Sequence, residues 1–134
     1  MAVKLSKRLL DAGIVTKDAA AAHRFYGEVL GLPLQGEVDI PQYGTVIRYS
    51  VGDSVLRLFV PLQAPTSEGS REGFASQTGI RYLTLYISNL DEAVAGVEAA
   101  GFKVTTVPRE LRPGVRVAQV EDADGNTIEL MEER

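Results

Sequence analysis

The stretch 122-DADGNTIELME-132 restricts the fold more than any other part of this sequence. Asp and Gly in 122–126 favour a tight turn, because both residues adopt the backbone conformations that such turns require. After the turn, apolar and polar residues alternate, which is the two-residue period of a strand with one buried face. The expected strand, 126–132, therefore has two faces: Ile128 and Leu130 point toward a core, whereas Thr127, Glu129 and Met131 point away from it.

The residues before this turn predict three further strands and a helix. In 89-NLDEAVAGVEAAG-101, apolar residues recur at helical spacing, Asn89 or Asp91 can cap the start, and Gly101 can end the helix. A run rich in aromatic and β-branched residues, 79-GIRYLTLYI-87, precedes this helix and is typical of a strand. Two more strands are expected between the helix and the turn, at 102–107 and 114–121.

The first half of the chain predicts the same series of elements. The run 18-DAAAAHRFYGEVLG-31 indicates a helix that begins at Asp18 and ends at Gly31. Its inward stripe at helical spacing consists of Ala19, His23, Tyr26 and Leu30. One strand is expected before this helix and three after it, at 9–15, 32–38, 43–50 and 54–60.

An internal alignment supports the duplication. Adding 72 to the residue numbers places 54-SVLRL-58 on 126-NTIEL-130, and adding 71 places Asp11 on Tyr82. Few residues are identical, so the match is one of pattern. Both halves therefore have the predicted order β-α-β-β-β.

These elements predict an α+β fold with two βαβββ modules in a single domain over residues 1–134. The half-repeats span about 5–62 and 79–134, and a linker rich in Pro, Gly and Ser joins them at 63–78. One half alone buries too little surface to be stable. We therefore expect the two sheets to join edge to edge in a curved, mostly antiparallel eight-stranded cup, with the helices outside and a ligand site on the concave side.

Composition excludes several classes of function. The chain has 14 Lys and Arg against 18 Asp and Glu, a net charge of −4 without a basic run, so neither nucleic acid nor an anionic membrane is an expected partner. The absence of cysteine excludes disulfides, thiolate metal sites and cysteine nucleophiles. The single histidine, His23, is expected to be a packing residue on the helix face toward the sheet. Without a second His or any Cys, dyads and triads are not supported. No segment is typical of a signal peptide or a membrane span, and we expect a cytoplasmic protein.

Three motifs resemble the vicinal oxygen chelate superfamily, which includes glyoxalases, bleomycin resistance proteins and extradiol dioxygenases. The segment 24-RFYGEVLGL-32 resembles the family's F-Y-x-x-x-L-G-[LF] helix ending. The segment 88-SNLDEAVAGVEAAGFKV-104 resembles its strand–helix joint with an A-A-G turn, and 122–132 resembles its closing D-P-D-G-N-x-x-E-L hairpin, with Ala123 in place of proline. The resemblance covers nearly the whole chain, and it implies the two-module cup and a homodimer.

The resemblance also implies where a metal ion would be bound. Members of the family hold a divalent cation with His, Gln and Glu side chains on the first and last strands of each half. The corresponding residues here are Asp11, Arg57, Tyr82 and Glu129, of which only Glu129 is of the usual type. A guanidinium strongly repels a cation at close range in a poorly solvated site, so we expect no metal ion and no cofactor.

Strand periodicity assigns a set of ligand-binding residues to the cup. The expected residues are Asp11, Arg57, Phe59, Tyr82, Thr84, Tyr86, Glu129 and Met131. Arg57 either pairs structurally with Glu129 or Asp11 or binds a polar ligand. Tyr82 and Tyr86 suit either an aromatic wall for a flat ligand or a dimer interface.

From these residues we predict a metal-independent protein of the bleomycin-resistance type that holds a small organic molecule in the cup. The alternative is an enzyme, a glyoxalase-like lyase or isomerase that abstracts a proton next to a carbonyl. Its catalytic residues would be Glu129 or Asp11 as the base, Arg57 as the group that stabilises the oxyanion, and Tyr82 as the acid. A metal-dependent member such as a dioxygenase and a subunit that serves assembly are further alternatives.

Overall fold

The computed structural model describes residues 2–134, which form two series of strands and helices. The first series is β1 (Ala12–Val15), a helix α1 (Ala19–His23) that continues as a π-helical turn over Arg24–Val29, β2 (Leu34–Ile40), β3 (Gly44–Val51) and β4 (Ser54–Pro61). The second series is β5 (Tyr82–Tyr86), α2 (Leu90–Ala99), β6 (Val104–Arg112), β7 (Val115–Glu121) and β8 (Thr127–Glu133). The α+β class and the doubled β-α-β-β-β order are confirmed. Within residues 2–134, no helix has the length and apolar character needed to cross a membrane.

Each series builds a four-stranded sheet with the same order of strands. The first sheet has the order β1-β4-β3-β2, and the second has the order β5-β8-β7-β6. In both sheets the first and last strands of the series pair in parallel, and the other two pairings are antiparallel. The mostly antiparallel character is therefore confirmed within each sheet, and the joining of the sheets into one cup stays a prediction.

The strand register agrees with the internal alignment. Gly13 lies opposite Arg57 in the first sheet, and Thr84 lies opposite Glu129 in the second. These pairs are related by the same shifts of 71 and 72 residues that the alignment uses. The sequence repeat is therefore also a repeat of side-chain position.

The first sheet belongs to a compact unit made of the residues up to Ala19 together with Leu32–Pro65. One face of this sheet is apolar and buried. Its residues share that face because paired residues on adjacent strands point to the same side. The buried residues on β3 and β4 are Ile47, Tyr49, Leu56 and Leu58, each at most 5% exposed. The burial of Leu56 and Leu58 follows the two-residue alternation of 54-SVLRLF-59.

The second compact unit contains Ala20–Gly31 and Thr66–Arg134, so the first helix groups with the second sheet. Aromatic and polar contacts join this helix to the second unit. The ring of Phe25 meets that of Phe102 edge-on at 5.0 Å, and Arg24 donates a hydrogen bond to the carbonyl oxygen of Ala100 at 2.6 Å. The helix is thereby attached to the end of α2.

The π-helical turn changes which side chains of the first helix are buried. The backbone N–H of Leu30 donates to the carbonyl oxygen of Phe25 at 2.9 Å, a bond that spans five residues instead of four. The extra residue in the turn rotates the later side chains relative to a regular helix. Tyr26 of the predicted stripe is buried, as are Ala22 and Phe25. His23 and Leu30 of the stripe are only partly covered.

Tyr26 connects this helix to the tight turn at 122–126. Its hydroxyl donates to the Asp122 carboxylate at 2.7 Å. The same carboxylate accepts from the side chain of Asn126 at 2.9 Å and from the backbone N–H groups of Asp124 and Asn126. Burial, followed by the negative charge of Asp122, raises the pKa of Tyr26 well above its usual value, so the phenol stays protonated and donates.

The start of α2 differs from the predicted cap. Asn89 occupies the N-cap position without a side-chain hydrogen bond to the helix, and Asp91 instead binds Arg116 at 2.8 Å. The backbone N–H of Leu90 donates to the carboxylate of Glu132, a residue of β8, at 3.0 Å. A carboxylate distant in sequence therefore satisfies the helix start, which local sequence rules cannot detect.

The segment expected to be a linker makes contacts within the second unit. Arg71 donates to the carbonyl oxygen of Ala123 at 3.2 Å, and a side chain at Gly125 would press against Arg71. The hydroxyl groups of Ser70 and Ser76 lie 2.7 Å apart, beside a short 3-10 turn. These contacts attach the segment to the 122–126 turn.

Replacement of Tyr26 by Phe should lower the free energy of unfolding by about 1–2 kcal/mol, because the buried Asp122 carboxylate loses one donor. Urea denaturation measures this change. Tyr43→Phe removes the same hydroxyl from an exposed side chain and serves as the control. Equal stability of the two variants would contradict the role assigned to Tyr26.

Candidate functional site

The face of the first sheet opposite its buried side is the first open face. Its residues follow from the strand register, which pairs side chains of adjacent strands on the same side. They are Gly36 and Val38 of β2, Val46, Arg48 and Ser50 of β3, Val55, Arg57 and Phe59 of β4, and Gly13 and Val15 of β1, with Asp11 just before β1.

An ion pair occupies the first open face. Arg57 Nη1 donates to Asp11 Oδ2 at 2.9 Å, and the backbone N–H of Val55 donates to Asp11 Oδ1 at 2.7 Å. Both carboxylate oxygens of Asp11 thus accept hydrogen bonds from β4. The Arg57 side chain remains 41% exposed and uses one of its nitrogens in this pair, so the rest of its guanidinium edge can donate to a ligand.

The electrostatics of Asp11 follow from these contacts. Its pKa lies below the ordinary value, first because the Val55 backbone N–H donates to the carboxylate. Partial burial opposes the shift, whereas the positive charges of Arg57 and Lys7 lower the pKa further. The carboxylate is therefore held in its ionised form.

The corresponding face of the second sheet is the second open face. Its residues, again taken from the strand register, are Tyr82, Thr84 and Tyr86 of β5, Thr127, Glu129 and Met131 of β8, Val115, Val117, Gln119 and Glu121 of β7, and Thr106 of β6. Part of this face is covered, because Val115, Val117, Glu121, Thr127 and Met131 are each at most 8% exposed.

A chain of hydrogen bonds crosses the second open face. Thr84 Oγ1 donates to Glu129 Oε1 at 3.0 Å, and Gln119 Nε2 donates to Glu129 Oε2 at 3.4 Å. Thr106 Oγ1 donates to Gln119 Oε1 at 2.9 Å, which orients the Gln119 amide with its nitrogen toward Glu129. Glu129 is thus surrounded by neutral donors and keeps lone pairs for a further donor.

Aromatic and apolar side chains flank this chain of hydrogen bonds. Tyr82 is 49% exposed and Tyr86 is 67% exposed. The Phe74 ring meets the Tyr82 ring edge-on at 5.5 Å. The 63–78 segment, which links the two half-repeats in sequence, therefore contributes to the aromatic surface. Met131 is largely buried in a cluster with Val115 and Val117.

The residues predicted from the sequence fall on these two faces. Asp11, Arg57 and Phe59 lie on the first, and Tyr82, Thr84, Tyr86, Glu129 and Met131 lie on the second. The structure brings Arg57 to Asp11 and Thr84 to Glu129. Of the two partners considered for Arg57, the contact formed within its own sheet is with Asp11. A role of these residues in ligand binding stays a prediction.

Three polar residues of the open faces are not among the site residues predicted from the sequence. Gln119 and Thr106 complete the hydrogen-bond chain to Glu129, and Arg48 lies directly opposite Arg57. The two-residue period of 114–121 was enough to place Gln119 on the same side as Val117. The position of Arg48 needed the pairing of β3 with β4, which one strand considered alone does not reveal.

Comparison with known proteins finds similarity along nearly the whole chain. Residues 8–130 match the family model of the Glyoxalase/Bleomycin resistance protein/Dioxygenase superfamily. The uncharacterized protein YaeR of Escherichia coli (strain K12) is 27% identical over 129 residues, which cover 95% of this chain and 97% of YaeR.

Solved structures share the fold. A glyoxalase family protein from Bacillus cereus superposes with a TM-score of 0.84 at 20% identity, covering 99% of this chain and 98% of that one. The trypanothione-dependent glyoxalase I of Leishmania major superposes with a TM-score of 0.74 at 23% identity, covering 96% of this chain and 88% of that one. At these identities the likeness shows the fold alone.

Replacement of Asp11 by Asn should make stability less dependent on acid pH. Because the folded state lowers the pKa of Asp11, the carboxylate contributes fully above the ordinary aspartate pKa, and this contribution is lost as the pH falls through the lowered value. The difference in melting temperature between wild type and Asp11→Asn should therefore be largest near neutral pH and shrink in acid. Asp53→Asn, in an exposed turn, is the control. A difference that grows in acid would contradict this assignment.

Proposed function

The chain belongs to the glyoxalase/bleomycin resistance protein/dioxygenase superfamily, and from that premise we propose that it is a metal-independent protein that binds a small organic ligand. The observation that carries the proposal is the ion pair between Arg57 and Asp11. It lies at two of the four positions where the resemblance implies metal ligands.

The side chains at these positions do not fit a divalent cation. The Asp11 carboxylate already accepts hydrogen bonds at both oxygens, and one of the donors is a permanent cation 2.9 Å away. A divalent ion bound to Asp11 would have to displace Arg57 or tolerate its repulsion. Within residues 2–134, no three His, Cys, Asp or Glu side chains are grouped so that they could hold a metal ion.

The second unit offers a carboxylate that is prepared for a donor. Glu129 accepts hydrogen bonds from Thr84 and Gln119, which hold its position without neutralising its charge. Tyr82, Tyr86 and Phe74 provide exposed aromatic surface beside it. Such a combination of a few oriented polar groups with aromatic side chains is typical of sites for small organic molecules.

The geometry of Glu129 also favours a second candidate function, that of a metal-free lyase or isomerase. A carboxylate surrounded only by neutral donors remains an acceptor and can take a proton from a carbon next to a carbonyl. The two functions differ in whether ligand binding is followed by turnover.

Elemental analysis tests the metal-independent proposal. We expect protein purified without chelator, and then incubated with nickel, zinc, manganese or iron and desalted, to retain less than one ion per chain, because Arg57 neutralises Asp11. Arg57→Gln, which removes the cation and keeps a polar side chain, is the matched variant. One tightly bound ion per chain in the wild-type protein would overturn the proposal.

Replacement of Glu129 by Gln separates a binding protein from an enzyme. We expect the variant to lose roughly 0.5–1.5 kcal/mol of stability. Thr84 and Gln119 donate to different oxygens of the Glu129 carboxylate, and an amide has only one oxygen to accept a hydrogen bond. For a binding protein, ligands found in a thermal-shift screen should still raise the melting temperature. Turnover of a hemithioacetal by the wild type that disappears in Glu129→Gln would favour the lyase. Glu133→Gln, which alters an exposed carboxylate at the end of β8, is the control.

A further inference from the structure

Equivalent rows of residues across the two sheets have opposite character. In the second sheet, the row contains Thr106, Gln119, Glu129 and Thr84, one residue from each strand. In the first sheet, the equivalent row contains Gly36, Arg48, Arg57 and Gly13. We call these the second row and the first row.

The second row is satisfied by its own members. Its hydrogen bonds run without a gap from Thr106 to Gln119, from Gln119 to Glu129 and from Thr84 to Glu129. Its charged member therefore has neutral donors on both sides. The hydroxyl and amide groups of this row are therefore paired, and no cation is a member of the row.

The first row places two cations side by side. Arg48 and Arg57 are direct partners in the antiparallel pairing of β3 with β4, and like charges in such positions repel each other. Asp11 is the carboxylate that binds Arg57. In the part of the chain that the structure describes, Arg48 makes no hydrogen bond or ion pair with a protein group, although it is partly buried.

Charge around this row is therefore unbalanced. Asp11 pairs with Arg57 and not with Arg48, and the ammonium group of Lys7 is close enough to Asp11 to act on it electrostatically. The acidic residues of the neighbouring strand do not compensate. Glu37 and Asp39 pair with Ile47 and Thr45, which lie on the other side of the sheet. The first open face thus has an excess of positive charge at Arg48 and Arg57.

Space for a ligand is present at both ends of the first row. A Cβ atom added to Gly13 or to Gly36 would meet no atom within 4 Å. Gly36 has a φ of 145°, so its backbone favours glycine. The backbone of Gly13 has no such requirement, and its lack of a side chain leaves the space beside Arg57 uncovered. At the equivalent position of the second row, Thr84 fills that space and binds Glu129.

An apolar row lies next to the two arginines. This row consists of one residue from each strand, two positions along the strand from the member of the first row. Its residues, which pair across the four strands, are Val38, Val46, Phe59 and Val15. Val15 and Val38 are 56% and 49% exposed, which leaves apolar surface accessible. Two residues along a strand correspond to about 7 Å, the length of a phenyl ring with one methylene group.

We propose that the first open face binds a hydrophobic carboxylic acid, with the carboxylate between Arg48 and Arg57 and the hydrocarbon or aromatic group on Val15, Val38, Val46 and Phe59. This inference rests on the proposed binding function and names its ligand class. Guanidinium groups bind carboxylates through paired, charge-assisted hydrogen bonds. A monoanion fits better than a phosphate dianion, because Asp11 is already bound to Arg57 and would repel the second negative charge.

Matched pairs of compounds test the inference. Phenylacetate, 3-phenylpropanoate and 4-methylpentanoate are titrated into the full chain beside their neutral amides, with binding followed by calorimetry and by amide NMR shifts. We expect at least one acid to bind about tenfold or more tightly than its amide, because only the acid forms charge-assisted bonds. Shifts should be concentrated on β3 and β4 around Arg48 and Arg57.

Variants identify the groups responsible. Arg48→Gln should weaken binding of the acid by about tenfold or more and leave the weak binding of the amide unchanged. Gly13→Val places a branched side chain in open space beside Arg57, so it should weaken binding without lowering the melting temperature. Lys103→Gln removes one positive charge from an exposed residue of the second unit and should bind as the wild type does. Melting curves establish that each variant is folded.

Several results would overturn the inference. They are equal binding of acid and amide, acid binding that is unaffected in Arg48→Gln, or no binding of any acid. If sulfate competes as well as the acids do, the apolar row contributes nothing to binding. The inferred binding of a hydrocarbon group is then overturned, and only a site for small anions is left. If neutral or cationic compounds bind in place of acids, this inference fails and the binding function stands. If the wild type retains one metal ion per chain, the proposed function fails instead.

Discussion

The hydrogen bond from the Tyr26 hydroxyl to the Asp122 carboxylate is the contact on which the arrangement of the second unit depends. It joins the first helix to the turn that precedes β8, and the same carboxylate holds that turn through the backbone of Asp124 and Asn126. Because both partners are buried, loss of either would leave a polar group without compensation. The position of β8 sets the register of β5 and β7, and therefore the position of Glu129. A structural bond in the core thus determines the geometry of the second open face.

Duplication of one sheet pattern explains how the chain holds two different chemical surfaces. The two sheets have the same strand order and the same pairing at equivalent positions. The buried faces of both sheets are apolar, since each must supply apolar surface to a core. The central rows of the opposite faces differ: they carry arginines in one sheet and a glutamate with neutral donors in the other. The chemical difference between the two sheets is therefore concentrated in these central rows.

The candidate site was only partly predictable from sequence. Alternation along 54–60 and 126–132 correctly placed Arg57 and Glu129 on the side opposite the buried leucines and isoleucine. The choice of Asp11 as the partner of Arg57 remained open, because it depends on where β1 starts relative to β4. The position of Arg48 beside Arg57 depends on cross-strand pairing, which no single strand specifies. The family resemblance contributed positions for a metal site, and the side chains at those positions make an ion pair that a divalent cation would have to break.

By itself, the sequence determined the order of the elements, the turn at 122–126 and the inward face of the central strands, because periodicity and turn chemistry act between near neighbours. Tertiary structure decided that Tyr26 of the first helix binds Asp122, that Phe25 meets Phe102, and that Glu132 satisfies the start of α2. It also decided that Arg48 and Arg57 lie side by side. Each of these outcomes depends on a contact between residues far apart in the chain. The free energy of such a contact exists only after the strands have paired and the core has closed, so no local pattern of residues encodes it.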